Sequence, residues 1–256
     1  MRRPRLALLL CILPILWAVS GARVSSVHGE PPQFSTVAQG IAHATFEARP
    51  GDAEPFSGHA FRIDLDAAEL HLVPAGGPSS RRTVEQIAAP YSAVVAVNAS
   101  FFDTEGRAMG LAVDEGRVMA SGTRGSWGAL VLNGPNARIV LGSEIHDRSA
   151  HRLIVQGIPR LVVGRKVQAL KPQLAERTAV CAEGHIVVIV VATKAETSAF
   201  AHFLADPAEK GGLGCSDALN LDGGPSTQLV ARLPALMLSL PGGWGVPNAL
   251  VATPGK

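Results

Sequence analysis

The chain has 256 residues, of which 47% are hydrophobic and 17% charged, which is sufficient for one domain with a full hydrophobic core. The formal net charge is only +2, and the sequence has a single Tyr and no basic patch with interleaved aromatic residues. These features argue against nucleic acid as a partner.

The first 22 residues have the composition of a secretory signal peptide. Met1–Arg5 is a short cationic head, Leu6–Val19 is apolar except for Pro14, and Ser20–Ala22 supplies small residues that a signal peptidase accepts. Because the apolar run is shorter than the ~20 residues of a spanning helix, an uncleaved anchor is the lesser alternative, and no other membrane contact is expected. The sequence therefore predicts a secreted, periplasmic or cell-envelope protein.

The chain without this segment, residues 23–256, is nearly neutral and keeps two cysteines. Removal of residues 1–22 leaves 20 basic against 21 acidic residues, a net charge of about −1. Cys181 and Cys215 could form one disulfide in an oxidising compartment, or they could be two small buried residues. The sequence leaves both alternatives open.

The chain after the signal peptide divides into an N-terminal extension, residues 23–54, and one domain, residues 55–256. The extension is a linker rich in Pro, Gly, Ser and Ala, with one weakly marked strand near Ile41–Phe46. Alternating apolar residues then predict two strands, Phe61–Leu65 and Leu70–Val73, joined by a short turn.

The middle of the chain predicts a short helix followed by strands. Thr83–Gln86 has the capping-box pattern, with Thr three residues before Gln, and this pattern opens a helix. Ala93–Val97 is a continuous apolar run, typical of a strand buried on both faces. Asn133-Gly134 is a strong hairpin signal between Gly128–Leu132 and Ala137–Leu141.

The second half of the chain predicts further strands and one helix. Leu153–Gln156 and Arg160–Val163 are expected to pair with each other. His185–Val191 is the most hydrophobic run after the signal peptide and should be a central strand, while the amphipathic Ser198–Leu204 predicts a helix. We therefore predict a single mixed α+β domain with one or two mostly antiparallel β-sheets of many short strands and two or three helices.

A candidate site lies in the stretch Ala218–Thr227. Asn220 and Asp222 alternate with leucines, so an extended segment would place the amide and the carboxylate on one face. Gly223 and Gly224 follow at once, where the backbone can turn and a ligand can approach closely. An Asp-Gly turn between two strands is the alternative interpretation.

A second polar segment, Asn98–Asp103, also follows an apolar strand, and Arg177 stands at the head of a third. Both segments are rich in groups that bind hydroxyls and cations, whereas Arg177 could equally form a surface ion pair with Glu176. The eight histidines have no ligand spacing, and the sequence has no H-E-x-x-H motif, Walker loop or dinucleotide fingerprint. The H-E-x-x-H zinc hydrolases, the Walker-loop nucleotide-binding proteins and the dinucleotide-binding proteins that these motifs define are therefore set aside.

Five segments, taken together and in order, resemble the phosphodiester glycosidase family. They are Asn98–Asp103, Gln156–Leu161, Glu176–Ala179, Leu213–Gly224 and Val246–Leu250. Each motif is weak alone, but five in register are specific, and the similarity extends over roughly residues 55–252. The chain departs from the family pattern at Pro225 and Thr227, where Gly and Ser are usual.

The resemblance implies a hydrolase that cleaves a sugar-1-phosphodiester at the anomeric carbon, with phosphate as the leaving group. It implies Asp222 as base or nucleophile, Asp103 as second carboxylate or sugar-hydroxyl ligand, and Arg177 as phosphate ligand. The substrate-binding candidates are the amide, aromatic, glycine and hydroxyl residues of the same segments, namely Asn98, Phe102, Gln156, Asn220, Gly223, Gly224, Ser226 and Thr227. The expected partner is a small-molecule or polymer-linked sugar phosphate.

Two alternatives remain open. Asp103, Asp222 and Asn220 could hold a structural Ca²⁺ in a non-catalytic carbohydrate- or cell-wall-binding protein. The hydrolase could instead attack phosphorus as a metal-dependent phosphodiesterase, although the sequence lacks a His/Asp metal cluster. No cofactor is certain from the sequence, and Ca²⁺ or Mg²⁺ is what its oxygen ligands would favour.

Overall fold

The computed structural model describes residues 27–28, 30–51, 53–92 and 94–255. The predicted signal peptide, residues 1–22, lies outside this part of the chain. The strands of the described residues are β1 Val27–His28, β2 Ser35–Ala38, β3 Ile41–Pro50, β4 Phe56–Asp64, β5 Ala68–Pro74, β6 Val94–Asn98, β7 Leu111–Asp114, β8 Arg117–Ser121, β9 Gly128–Asn133, β10 Asn136–Leu141, β11 Leu153–Gly157, β12 Arg160–Val163, β13 Lys166–Val167, β14 Leu174–Glu183, β15 Ile186–Glu196, β16 Ala218–Asn220, β17 Leu229–Leu233, β18 Leu236–Leu240 and β19 Asn248–Pro254. The α-helices are α1 Val84–Ala88 and α2 Thr197–Ala205. Short 3₁₀ turns lie at Gly142–Glu144, Arg148–Ala150, Ala208–Lys210 and Gly224–Ser226. No helix in the described ranges has the length and apolarity needed to cross a membrane.

The strands form three antiparallel sheets. The main sheet has nine strands in the order β1-β3-β4-β15-β14-β16-β12-β13, with β2 also paired to β3. The second sheet has the order β10-β9-β11-β7-β8, and the third has the order β18-β17-β6-β19-β5. The fold is therefore largely β, and the α+β prediction is correct only in the coarse sense that two helices accompany mostly antiparallel sheets. The expectation of one or two sheets was wrong, since three are present.

The central core lies where the three sheets face one another. Ile63 of the main sheet, Leu132 of the second and Val97 of the third all belong to this cluster and are inaccessible to solvent. Helix α2 covers the other face of the main sheet with Phe200 and Phe203, and α1 covers the other face of the third sheet. Both faces of β6 are consequently buried, as its continuous apolar run predicts.

Several local predictions are confirmed. Thr83 caps α1, and the full capping box with Gln86 is present. The Asn133-Gly134 hairpin joins β9 to β10, and the predicted helix Ser198–Leu204 corresponds to α2.

The segment predicted as a linker, residues 23–54, contains strands of the main sheet, namely β1, β2 and β3.

One predicted pairing was wrong. Leu153–Gln156 and Arg160–Val163 do not pair with each other, because β11 lies in the second sheet and β12 in the main sheet. The connecting residues pack on β16 instead of folding back: the Asn220 N–H donates to the Pro159 carbonyl at 3.0 Å. A Cβ added at Gly157 would lie 2.3 Å from the Asn220 carbonyl oxygen, so the chain passes against β16 at backbone distance.

A disulfide joins Cys181 of β14 to Cys215, which precedes β16, with 5.8 Å between the two Cα atoms. The bond closes a segment of 34 residues that includes the turn between β14 and β15, all of β15 and α2. The bond therefore links the segment that leads into β16 to β14, the strand with which β16 pairs.

We expect the Cys181→Ala/Cys215→Ala variant to lose about 3–4 kcal/mol of unfolding free energy, the loop-closure estimate for a segment of this size. Urea denaturation of the variant and of the wild-type protein measures the difference. Reduction should destabilise the wild-type protein and leave the variant unchanged. Equal urea midpoints for the oxidised wild type and the variant would show that the bond contributes nothing.

Candidate active site

The two polar segments predicted from the sequence meet in the structure. The Asp222 N–H donates to the Ala99 carbonyl at 3.1 Å, and the Asn98 amide nitrogen donates to the Asp222 carbonyl at 2.6 Å. The first segment leaves β6 of the third sheet, and the second leaves β16 of the main sheet. The junction of these sheets therefore fixes the backbone that carries the Asp222 carboxylate.

Asn98 holds this junction together and is completely buried. Its Oδ1 accepts hydrogen bonds from the Thr178 hydroxyl at 2.7 Å and from the Gln228 N–H at 3.1 Å. With its Nδ2 donating to Asp222, both ends of the carboxamide are occupied by protein groups. Asn98 consequently positions the site, and the structure does not place its side chain in the cavity that Asp222 lines.

The turn after Asp222 requires glycine at two positions. Gly224 has φ +58°, in the left-handed region, and its missing side chain leaves open space. A Cβ at Gly223 would lie 2.8 Å from the Glu176 carbonyl oxygen, so main chain packs on main chain there. The Gly223 N–H donates to Asp222 Oδ1 at 3.0 Å and orients the carboxylate.

Asp222 lines a cavity of about 720 Å³ together with Asn220, Gly223, Gly224 and Arg177. Burial raises the pKa of Asp222 above its ordinary value, while the Ser226 hydroxyl and the Gly223 N–H oppose the shift. A carboxyl group in such a setting is a candidate acid or base.

Arg177 is buried in the wall of the same cavity. Its Nε donates to the Ala195 carbonyl at 3.2 Å, and its Nη2 donates to the Thr197 hydroxyl at 2.7 Å and to the Gln173 carbonyl. Within the described ranges Nη1 has no hydrogen-bond partner, and no ion pair with Glu176 is present. Burial lowers the pKa of the guanidinium, an effect that Glu196 partly offsets, but an arginine remains charged at neutral pH.

A β-bulge lies in the part of β14 that lines the cavity. Adjacent residues of a regular strand point to opposite faces. The register of β14 against β15 shifts between Ala175 and Arg177, which changes the direction of the side chains there. Glu176 is the second acidic residue of this cavity wall, and the sequence reasoning missed it except as an ion-pair partner.

Asn220 has one unsatisfied group beside the cavity. Its Nδ2 donates to the Ile158 carbonyl at 2.9 Å and to the Leu221 carbonyl at 2.7 Å. Its Oδ1 is buried and has no hydrogen-bond partner among the described residues. Buried polar atoms are nearly always paired, so this oxygen marks a place where a donor from a ligand or from water fits.

Further charged and apolar residues of the cavity carry no motif that the sequence reasoning could use. Lys171 and Lys194 add two positive charges to that of Arg177. Ile158 and Leu174 also line the cavity and are 37% and 48% exposed. Isolated lysines and aliphatic residues are common on any surface, so only the fold identifies them.

Asp103 and Phe102 lie in a different groove, of about 870 Å³, which Asp222 does not line. Asp103 Oδ1 accepts the N–H groups of Glu105 and Arg107, both at 3.0 Å, and Oδ2 accepts Arg107 Nε at 2.9 Å. These bonds, the Arg107 N–H foremost, lower the pKa of Asp103. Asp103 is thus an ionised carboxylate held by its own loop.

The remaining candidates fall outside the Asp222 cavity. Gln156 is buried, and its carboxamide binds the Leu111 N–H and both main-chain groups of Arg124 at 2.8–2.9 Å, which fixes a loop. Ser226 is buried beneath the turn. Thr227 lines an adjacent cleft of about 1010 Å³, whose wall shares Glu176, Gly224 and Pro225 with the Asp222 cavity.

The metal alternatives find no support in this geometry. Among the described residues, two groups of acidic and histidine side chains are close enough to hold an ion: Asp64, Asp66 and His185, and His71, Asp114 and Glu115. Neither group contains Asp103 or Asp222. The Ca²⁺ hypothesis also requires Asp103 and Asp222 to share a site, whereas they line separate cavities.

The raised pKa of Asp222 leads to a prediction about stability. The pKa of Asp222 in the folded protein lies above its ordinary value of 3.8. The stability that this group contributes is therefore fully present below pH 3.8, and it is lost as the pH rises through the pKa of Asp222 in the folded protein. Asn cannot ionise, so we expect Asp222→Asn to be more stable than the wild type at pH 7, by on the order of 1 kcal/mol.

Urea unfolding at pH 7 and at pH 3.5 tests this sign, since the difference should shrink at the lower pH. Asp66→Asn, at an exposed carboxylate in the turn between β4 and β5, is the matched control and should show little change. An Asp222→Asn variant that is clearly less stable than the wild type at pH 7 would contradict the prediction.

Comparisons with known proteins agree with this fold. The sequence profile of the phosphodiester glycosidase family matches residues 91–253. The fold is similar to that of the catalytic domain of zebrafish N-acetylglucosamine-1-phosphodiester alpha-N-acetylglucosaminidase auto-inhibited by its pro-peptide, with TM-score 0.64 and 17% identity over 90% of this chain and 88% of that chain. A hypothetical protein from Synechocystis gives TM-score 0.65 and 14% identity over 90% of this chain and 68% of that chain. A protein from Burkholderia pseudomallei K96243 gives TM-score 0.56 and 12% identity over 93% and 99% of the two chains. A search of curated proteins found no match. Since the family profile covers more than half of the sequence, the chain belongs to the phosphodiester glycosidase family.

Proposed function

We propose that this protein hydrolyses a sugar-1-phosphodiester at the anomeric carbon and releases a phosphate monoester. The observation that carries the proposal is that one cavity holds both the buried Asp222 carboxyl group and the anchored Arg177 guanidinium. The first can act on the sugar and the second on the leaving phosphate. Membership of the phosphodiester glycosidase family supports this reaction class.

The chemistry matches these two side chains. Water oxygen forms a bond to the anomeric carbon, the bond from that carbon to the phosphate oxygen breaks, and the electron pair leaves on the phosphate. A phosphate monoester is a better leaving group than a sugar alkoxide, so positive charge on the phosphate can replace much of the protonation that glycosidases use. Arg177 supplies that charge in a fixed position, and Lys171 and Lys194 increase the attraction for an anion.

Asp222 would accept the proton of the attacking water or attack the anomeric carbon itself. Its carboxylate is oriented by the Gly223 N–H, and its raised pKa makes it a stronger base than an exposed aspartate. Glu176, the other acidic residue of the cavity wall, would act as the second carboxylate, the role that the sequence predicted for Asp103.

The sugar would lie against Asn220 and the glycine turn. The unpartnered Asn220 Oδ1 would accept a sugar hydroxyl, and the open position at Gly224 leaves room for a ring close to the main chain. The zebrafish relative is named for N-acetylglucosamine 1-phosphodiesters, so this sugar is the first to test. The natural partner would be a small-molecule or polymer-linked sugar phosphate.

We also propose that the protein acts outside the cytoplasm. The signal-peptide pattern of residues 1–22 is the main reason. The disulfide between Cys181 and Cys215 supports it, because such bonds persist in oxidising compartments.

Asp222→Asn should reduce kcat/KM on sugar 1-(methyl phosphates) at least about 100-fold, the range for loss of a general base. The panel consists of the N-acetylglucosamine, glucose, galactose and mannose compounds, and released methyl phosphate is measured. Asp66→Asn again serves as the control and should keep wild-type activity. An Asp222→Asn variant with wild-type kcat/KM would remove Asp222 from the mechanism, and a wild-type protein that cleaves no member of the panel would refute the proposed reaction.

Arg177→Lys should reduce kcat/KM about 10- to 100-fold on sugar-1-phosphodiesters and markedly less on aryl glycosides of the same sugar. Lysine keeps the charge but loses the hydrogen bonds from Nε and Nη2 that hold the guanidinium in place, so the charge is no longer presented to the phosphate from a fixed position. Thermal unfolding of the variant checks that the site remains folded. An equal loss on both substrates would mean that Arg177 acts on the protein and not on the phosphate.

A further inference from the structure

The groove that contains Asp103 and Phe102 is built around an exposed aromatic residue. Trp244 is 56% exposed, and its ring centroid lies 6.4 Å from that of Phe102 at an interplanar angle of 67°. The Arg81 guanidinium lies 5.5 Å from the Phe102 ring centroid. The groove thus combines two aromatic rings, a guanidinium and the ionised Asp103 carboxylate.

The main chain around Trp244 is held in place. The N–H groups of Gly243 and Trp244 both donate to the Pro225 carbonyl, at 2.8 and 3.1 Å. The Trp244 carbonyl accepts Gln228 Nε2 at 2.7 Å. An exposed indole on a fixed backbone is a rigid contact surface that loses little entropy when a ligand binds.

Arg81 is an exposed residue of the groove. A Cβ at Gly106 would lie 3.0 Å from Arg81 Nε, and a Cβ at Gly245 would lie 3.2 Å from Arg81 Cβ. The side chain therefore passes closely between two glycines before it reaches Phe102. The Asp103 carboxylate of the groove is held by its own loop before any ligand arrives.

The groove is linked to the Asp222 cavity through the cleft that lies between them, and among the described residues the groove and the cavity share no lining residue of their own. Pro225, whose carbonyl holds the Trp244 loop, lines the Asp222 cavity together with Gly224. The cleft of about 1010 Å³ shares Gly224 and Pro225 with that cavity and shares Gly243 with the aromatic groove. A long ligand can therefore extend from Asp222 across the cleft to Trp244.

We propose that the groove of Arg81, Phe102, Asp103 and Trp244 binds a sugar unit of a glycan chain. The apolar face of a pyranose packs on an aromatic ring, while its hydroxyls donate to a carboxylate and accept from a guanidinium. The identity of the substrate rests on the proposed function. If that function holds, the substrate is an oligomeric or polymeric glycan that carries the scissile phosphodiester, with a distant sugar bound at Trp244.

The test is a binding measurement that needs no turnover. Linear hexamers of glucose, mannose and N-acetylglucosamine are titrated into the wild-type protein, with calorimetry and tryptophan fluorescence as readouts. We expect at least one hexamer to bind and Trp244→Ala to weaken its affinity about tenfold or more, as for tryptophans that become buried when a ligand binds. Trp244→Tyr should retain most of the affinity. Met237→Ala, which removes a side chain 75% exposed on β18, is the matched control and should bind as the wild type does.

Two outcomes would overturn the proposal: none of the three hexamers binds, or Trp244→Ala binds as tightly as the wild type. Both are distinguishable from failure of the proposed function. Hexamer binding that depends on Trp244, in a protein that cleaves no sugar 1-(methyl phosphate), would leave the glycan site standing without that reaction. Cleavage without hexamer binding would remove the glycan site alone.

Discussion

The site depends on one buried carboxamide, that of Asn98, which joins two sheets and binds the main-chain carbonyl of Asp222. It binds Thr178 of the main sheet and the N–H of Gln228 at the start of the third sheet. Because Asn98 is inaccessible to water, each lost bond would leave a buried group unpaired at about 1–3 kcal/mol. The position of the Asp222 carboxylate is therefore fixed by the core, and the Gly223-Gly224 turn lets the chain leave without covering it.

The sequence predicted those parts of the fold that depend on neighbouring residues. The capping box at Thr83 and the Asn133-Gly134 hairpin each involve a few consecutive positions, and both are confirmed. The pairing of Leu153–Gln156 with Arg160–Val163 failed, because Gly157 packs on β16, which is more than 60 residues away in the chain. Contacts between residues so far apart in the chain produce no pattern in neighbouring residues of the sequence. The same is true of the division of the strands into three sheets.

The same distinction separates the candidate residues. The alternation of Asn220 and Asp222 and the glycines after them predicted one candidate site, and the structure places all four residues along one cavity, since one strand end carries them. Asp103 matched the same motif type, but its own loop binds the carboxylate and places it in a separate groove. Glu176 was overlooked because its place in the cavity wall accompanies a β-bulge that the sequence does not reveal.

The roles proposed for Asp222 and Arg177 require that the bond between the anomeric carbon and the phosphate oxygen breaks. Hydrolysis of N-acetylglucosamine 1-(methyl phosphate) in ¹⁸O-labelled water, followed by mass spectrometry of both products, tests that claim most directly. Attack at the anomeric carbon places the label in the sugar and none in methyl phosphate. Label in methyl phosphate would mean attack at phosphorus and would contradict the roles of Asp222 and Arg177.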